Sequence, residues 1–90
     1  MTIARRVVVR GRVQGVFFRE TARRRARRAG VAGWVRNLRD GSVEAEIEGT
    51  PEQVDEVLAW MAQGPPGAQV DTAMVTDAAP TGESGFEVRG

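Results

Sequence analysis

From Val43 to Glu48 apolar and acidic residues alternate strictly, Val-Glu-Ala-Glu-Ile-Glu. That period of two predicts a strand with its apolar side inward, its glutamates outward and one sheet face open to solvent. Ala4 to Arg10 is a valine-rich run flanked by arginines, and Gly33 to Leu38 is a second short run; both read as strands. Between them the period changes. From about Phe18, alanines follow at 22, 26 and 29, at steps of four, four and three, a helical stripe small enough to sit close on a sheet, with Gly30 as its stop. Asp40-Gly41 marks a hairpin that needs positive φ. Thr50-Pro51-Glu52-Gln53 then announces a second helix, in which Thr50 caps, Pro51 fills the first turn and Gln53 completes a capping box. Val54, Val57, Leu58 and Met61 fall at i, i+3, i+4 and i+7, a core-facing stripe. Gly64-Pro65-Pro66-Gly67 ends it. Val70 to Val75 reads as a fourth strand, and a polar turn near Pro80 to Gly85 leads to a short last strand, Phe86 to Arg89.

The order is β-α-β-β-α-β with a short strand added, the α+β pattern of a ferredoxin-like sandwich: an antiparallel sheet with both helices on one face. Ninety residues make one domain, 1–90. In that topology the first and third strands lie side by side at the centre and the second lies beside one of them. The loop after the first strand and a residue on the second can therefore meet at one edge. No apolar run approaches the roughly 20 residues that cross a bilayer. The N-terminus lacks a signal-peptide core, so a cytoplasmic protein without membrane attachment is expected.

Composition removes most catalytic chemistry. The chain has no Cys, His, Lys or Tyr, and so no thiolate, imidazole base, Schiff-base lysine or Walker lysine. Arginine, carboxylates, a few hydroxyls, the single asparagine Asn37 and the backbone remain. They can position a substrate and stabilise charge. The net charge of +1 is segregated: residues 1–39 carry twelve of thirteen arginines and one acid, Glu20, while residues 40–90 carry Arg89 and eleven acids. Such asymmetry fits a nucleic-acid partner, or basic and acidic elements lying side by side in the fold.

One stretch gathers what chemistry is left: Gly11-Arg12-Val13-Gln14-Gly15-Val16-Phe17-Phe18-Arg19. It leaves a strand, turns through glycines and enters a helix, so several N–H groups go unpaired and favour an anion. Arg19 adds a two-pronged donor suited to phosphate. Gly33-Trp34-Val35-Arg36-Asn37 is the second marked stretch, and the topology places Asn37 near that loop. Each residue alone has an ordinary reading: turn glycines, a surface ion pair for Arg19 with Glu20 or an acid of the third strand, a strand-end asparagine. Phe17 and Phe18 read as core and loop anchors, and Thr21 as part of the first helical turn. Arg23, Arg24, Arg25, Arg27 and Arg28 read as a solvated face, with Glu20 pairing Arg24.

The chain resembles the acylphosphatase family. Gly11 to Arg19 carries that family's first motif, and Gly33 to Asn37, followed by Asp40-Gly41-Ser42-Val43 and Gly49, carries the second. The similarity extends to the Gly-Pro-Pro after the second helix and the Phe-Glu-Val-Arg ending. It implies hydrolysis of the carboxyl–phosphate bond of a small-molecule acyl phosphate. Arg19 would hold the phosphate, Asn37 would orient the attacking water, and the loop backbone of Gln14, Gly15, Val16, Phe17, Phe18 and Arg19 would wrap the phosphoryl oxygens. No metal, cofactor or covalent intermediate is expected. Phosphate or another oxyanion is expected as product and inhibitor, and the working expectation is a monomer. Nothing in the sequence supplies a pocket for the acyl group, which suggests broad tolerance there. The rival is a non-catalytic nucleic-acid-binding module that uses the arginine-rich first helix. Modules of that kind stack bases on strand aromatics, whereas the third strand offers outward glutamates and the first offers no aromatic.

Overall fold

The computed structural model describes residues Met1 to Gly90. Seven elements follow in order: β1 (Ile3–Arg12), α1 (Phe18–Ala29), β2 (Ala32–Asn37), β3 (Val43–Gly49), α2 (Pro51–Gln63), β4 (Gln69–Ala78) and β5 (Phe86–Arg89). They build one five-stranded sheet in the order β4-β1-β3-β2-β5. The strands from β4 through β2 are antiparallel neighbours, and β5 joins β2 in parallel, Val35 opposite Val88. The ferredoxin-like α+β reading thus holds, with a parallel edge strand added to it.

Local signals account for the helices. Gly30 ends α1 in the left-handed conformation and its N–H donates back to Ala26 and Arg27, the stop expected of a C′ glycine. Thr50 and Gln53 form the reciprocal capping box, with Pro51 in the first turn. Ala22 and Ala26 are fully buried, so α1 lies close over β2 and β5 while α2 covers β1, β3 and β4. Val7, Val9, Val35, Val43, Ala45 and Ile47 form the sheet side of the core, and Val54, Val57 and Met61 meet them from α2. Leu58, expected in that stripe, is only partly buried; Trp60 takes the deeper place, its ring centroid 5.3 Å from that of Phe18. An aliphatic stripe at helical spacing does not reveal which neighbour has the aromatic partner.

The far face of the sheet carries no helix and leaves Met74 and Thr76 exposed, as the alternation of β3 predicted, but the glutamates of β3 itself do not stand free in solvent. Glu44 and Glu48 are buried. Three carboxylates on alternate positions repel one another unless each finds a donor, and each does. Arg36 donates to Glu44 at 2.8 Å, and Arg6 to Glu46 at 2.8 Å from the position directly opposite on β1. Glu48 accepts from the backbone N–H groups of Thr81 and Gly82 at 2.7 and 3.1 Å. Trp34, on the same face of β2, lies beneath the guanidinium groups of Arg36 and Arg89, 5.1 and 5.4 Å from its ring centroid. With 8% of its surface accessible, it offers no platform for stacking a base. The segregated charges of the sequence are thus partly reconciled inside the sheet.

Candidate active site

The segment between β1 and α1 is anchored at alternate places and free between them. A bulge separates Arg10 from Gly11. A Cβ on Gly11, at φ 132°, would stand 2.1 Å from the Gln69 carbonyl oxygen of β4, so only glycine permits that approach. Val13 is fully buried and Val16 packs partly against the core. Between them the Gln14 amide donates from Nε2 to the carbonyl oxygens of Leu38 and Ser42, at 2.8 and 2.9 Å. These contacts hold the loop against the hairpin joining β2 to β3. Gly15 turns at φ 75° with nothing within 4 Å of the place a Cβ would take.

Two phenylalanines then part company. Phe18 enters the core at 1% accessibility, as expected of an anchor, but Phe17 is 81% exposed. The expectation that both are anchors fails for Phe17 because its backbone sits at φ 60° and ψ 27° as the residue capping α1. It contributes no side-chain cap. Thr21 donates from its backbone N–H to the Phe17 carbonyl, which is the first turn of the helix. The backbone N–H groups from Gly15 to Glu20 have no acceptor within the protein. Consecutive unpaired donors at the positive end of a helix attract an anion.

Arg19 stands on the first turn of α1, partly buried. It pairs neither with Glu20 nor with an acid of β3. Its Nη1 donates instead to the Gly90 carbonyl at 2.8 Å. Asn37 ends β2, opposite Val43. Its place in the alternation is that of Val35, so it faces the helix side of the sheet, where α1 begins. The topology thus brings both predicted residues together: Arg19 and Asn37 line one cavity of about 360 Å³ with Gly15, Phe17, Val13 and Val88.

Glu20 also borders this cavity and would oppose an anion there if it were free. Arg23 binds its carboxylate through Nη2 and, at 3.1 Å, through Nε; Arg24 Nε lies 3.5 Å away. The hydrogen bond from Arg23 holds the Glu20 carboxyl below its ordinary range, with attraction to Arg23 and Arg24 adding to it. The pair expected between Glu20 and Arg24 is therefore present, with Arg23 as the closer partner. On the other side, the Asp40 carboxylate accepts from Ser42 Oγ at 2.5 Å and from Ser42 N at 2.9 Å, which lowers its pKa. That bracing, with Gly41 at φ 94°, makes the tight turn that follows Asn37.

Val88 and Glu20 were not legible as site residues. Val88 reaches the cavity only because β5 lies parallel to β2, and no local pattern announces that register. No group of three or more Asp, Glu, His or Cys side chains gathers in a way that could hold a metal ion. No helix is long and apolar enough to cross a membrane.

Comparison with known proteins places these features in a family. The acylphosphatase family model matches residues 5–88. An acylphosphatase of Rubrobacter xylanophilus is 56% identical over 85 residues, covering 93% of this chain and 77% of its own. Among solved structures, an acylphosphatase from Coxiella burnetii superposes with a TM-score of 0.94 at 36% identity, covering 98% of this chain and 93% of its own. Another, from Bacillus subtilis, gives 0.94 at 33% identity and full coverage of both chains. The match takes in the loop from Gly11 to Arg19, the strand bearing Asn37 and the whole sheet: the chain belongs to the acylphosphatase family of enzymes.

Proposed function

We propose that the chain hydrolyses the carboxyl–phosphate bond of acyl phosphates, with Arg19 and the loop amides from Gln14 to Arg19 holding the phosphoryl group and Asn37 orienting the water. The observation that carries this reading is the meeting of Arg19, Asn37 and the unpaired amides at one cavity. Water oxygen attacks phosphorus, the bond from phosphorus to the carboxyl oxygen breaks, and the carboxylate leaves with the electron pair. The water's proton passes to a phosphoryl oxygen or to solvent, since the one carboxylate at the cavity is engaged by arginines.

A carboxylate is a good leaving group, so the reaction asks mainly for positioning and for donors at the equatorial oxygens. Loop amides supply such donors without titrating. In comparable sites, removing one costs about 3–4 kcal/mol of barrier stabilisation. The guanidinium of Arg19 can bind two phosphoryl oxygens at once; to do so it exchanges its bond with the Gly90 carbonyl for the substrate. Asn37 can accept from water through its amide oxygen while its NH₂ donates elsewhere. Inorganic phosphate, the product, fits the same donors and is expected to inhibit competitively.

The test is release of inorganic phosphate from acetyl and benzoyl phosphate with chelator present, alongside an Asn37→Ala control. Turnover that persists in chelator and drops about 100-fold or more in the control is the expected result. Equal rates in the two proteins would remove Asn37 from the chemistry.

A further inference from the structure

Glu20 stands at a position from which a side chain ordinarily caps its own helix. Phe17 is the N-cap of α1, which makes Glu20 the third helical residue. In a capping box a Glu or Gln at that place reaches back to the N-cap backbone N–H. The second helix of the same chain does this: Gln53, third after Thr50, accepts from the Thr50 N–H at 3.0 Å. Glu20 does not. Arg23 binds its carboxylate through Nη2 and, at 3.1 Å, through Nε, and Arg24 Nε lies 3.5 Å away. The Phe17 N–H is left without an acceptor.

This happens at the cavity itself, which Glu20, Phe17 and Arg19 all line. For the helix alone the arrangement is unfavourable, because a first-turn carboxylate on a free amide would gain a cap and the attraction of the helix dipole. For an anion site it is favourable. A Glu carboxylate is the chain's own oxyanion, and it competes for the donors that a phosphoryl group needs. The arginines that hold it lie three and four residues further on, where helical side chains meet. Glu20 is also the only acid of α1, so no second carboxylate draws those arginines away from it within the helix.

We propose that Arg23, assisted by Arg24, is a positioning residue: it draws the Glu20 carboxylate off the loop amides and so keeps the anion site open to phosphate. The role deepens the hydrolytic reading above and rests on it for the identity of the substrate. Once released, the Glu20 carboxylate settles among the first-turn amides and competes with phosphate as an internal anion. Thr50 is extended and Phe17 left-handed, so the bond formed is not a copy of the one in α2. Any amide from Phe17 to Glu20 serves, since none has an acceptor. Charge alone would act differently. If Arg23 attracted phosphate only through its own charge, removing it would weaken binding whether or not Glu20 were present. A positioning role vanishes with the carboxylate that is positioned.

The experiment measures KM and kcat for acetyl phosphate, and the inhibition constant of inorganic phosphate, in wild type, Arg23→Gln and Arg23→Gln/Arg24→Gln. Each protein is also made with Glu20→Ala. The two arginine side chains are 28% and 75% exposed, so these changes leave the core alone. With Glu20 present, losing both arginines is expected to raise KM and the inhibition constant about fivefold, equivalent to about 1 kcal/mol. Because competition precedes chemistry, kcat should stay nearly constant. Arg23→Gln by itself should show part of the effect, since Arg24 keeps a hold. With Glu20→Ala, the same arginine changes should shift either constant by less than about twofold, the non-additivity of residues that act as one. Equal losses with and without Glu20 would overturn the positioning role, as would unchanged constants when both arginines are replaced. Wild type that releases no phosphate from acetyl phosphate would overturn hydrolysis. The same coupling in phosphate titrations followed through the amide resonances of Gly15 to Glu20 would then still uphold the positioning role, and its absence there would overturn that as well.

Discussion

Arg19 and Asn37 hold different parts of the proposed reaction, and their side-chain chemistry separates their effects. The Arg19 guanidinium is planar and can present two parallel N–H groups; lysine keeps the charge but loses the fork. Arg19→Lys is therefore expected to lower kcat/KM about 100-fold or more, the order seen when one preorganised donor is lost. It should also weaken inhibition by inorganic phosphate. Steady-state kinetics with phosphate as inhibitor checks this, and wild-type values in both would remove Arg19 as the clamp. Asn37→Ala, in contrast, should lower kcat while phosphate inhibition stays nearly constant, because the proposed role of its amide is to hold water rather than phosphate. Loss of phosphate inhibition with kcat intact would exchange the two roles.

Among the elements, the joint between the β1–α1 loop and the β2–β3 hairpin matters most. Gln14 donates to two carbonyls of that hairpin, one of them on Leu38, the residue after Asn37. Gln14→Leu removes both bonds and leaves partly buried carbonyl oxygens short of a donor, though each keeps a role in the turn: Leu38 accepts from Gly41 and Ser42 from Leu38. A loss of about 1–2 kcal/mol in urea unfolding is expected, with a fall in kcat as loop and hairpin drift apart. An unchanged urea midpoint and unchanged kcat would show the clamp to be idle. Gly11→Ala acts at the other end of the loop. Its methyl group would meet the Gln69 carbonyl oxygen at 2.1 Å, and the backbone of β4 cannot yield as a side-chain tip would. Destabilisation of more than about 2 kcal/mol is expected, measurable by the same unfolding curves.

For the molecule as a whole, charge and pH follow from which groups the fold brings together. The chain has neither His nor Cys, and so no side chain that ordinarily titrates between about pH 5 and 8. If Asn37 and Arg19 carry the reaction, log kcat is expected to stay flat between about pH 6 and 8. A limb in that interval would assign the chemistry to a titrating group and displace Asn37. Stability behaves differently on the acid side. Glu20 and Asp40 are held below their ordinary values of 4.5 and 3.8 by Arg23 and by Ser42 respectively. The unfolded chain therefore binds more protons than the folded one in that range. Their contribution is complete above the ordinary values and drains away as pH falls through the lower folded ones. Thermal unfolding followed from pH 6 to 3 should show a falling midpoint, and replacing Glu20 by Gln should reduce the slope.

The sequence by itself determined what depends on near neighbours. The capping box at Thr50, the stop at Gly30, the alternation of β3 and the turn at Asp40-Gly41 are local, because helix and strand periods and turn chemistry act over a few residues. The element order then constrained topology enough to bring Arg19 and Asn37 to one edge. What only the tertiary structure decided depends on register and on contacts across the sheet. The parallel pairing of β5 with β2 carries Val88 to the cavity, and nothing within Phe86 to Arg89 encodes that partner. Opposed arginines and the backbone of Thr81 and Gly82 turn the solvent-facing glutamates of β3 into a covered layer. Phe17 and Phe18 are the same residue type at adjacent positions. One joins the core and the other borders the cavity, because a left-handed turn at the start of α1 directs them to different surroundings, and composition and spacing are blind to that turn.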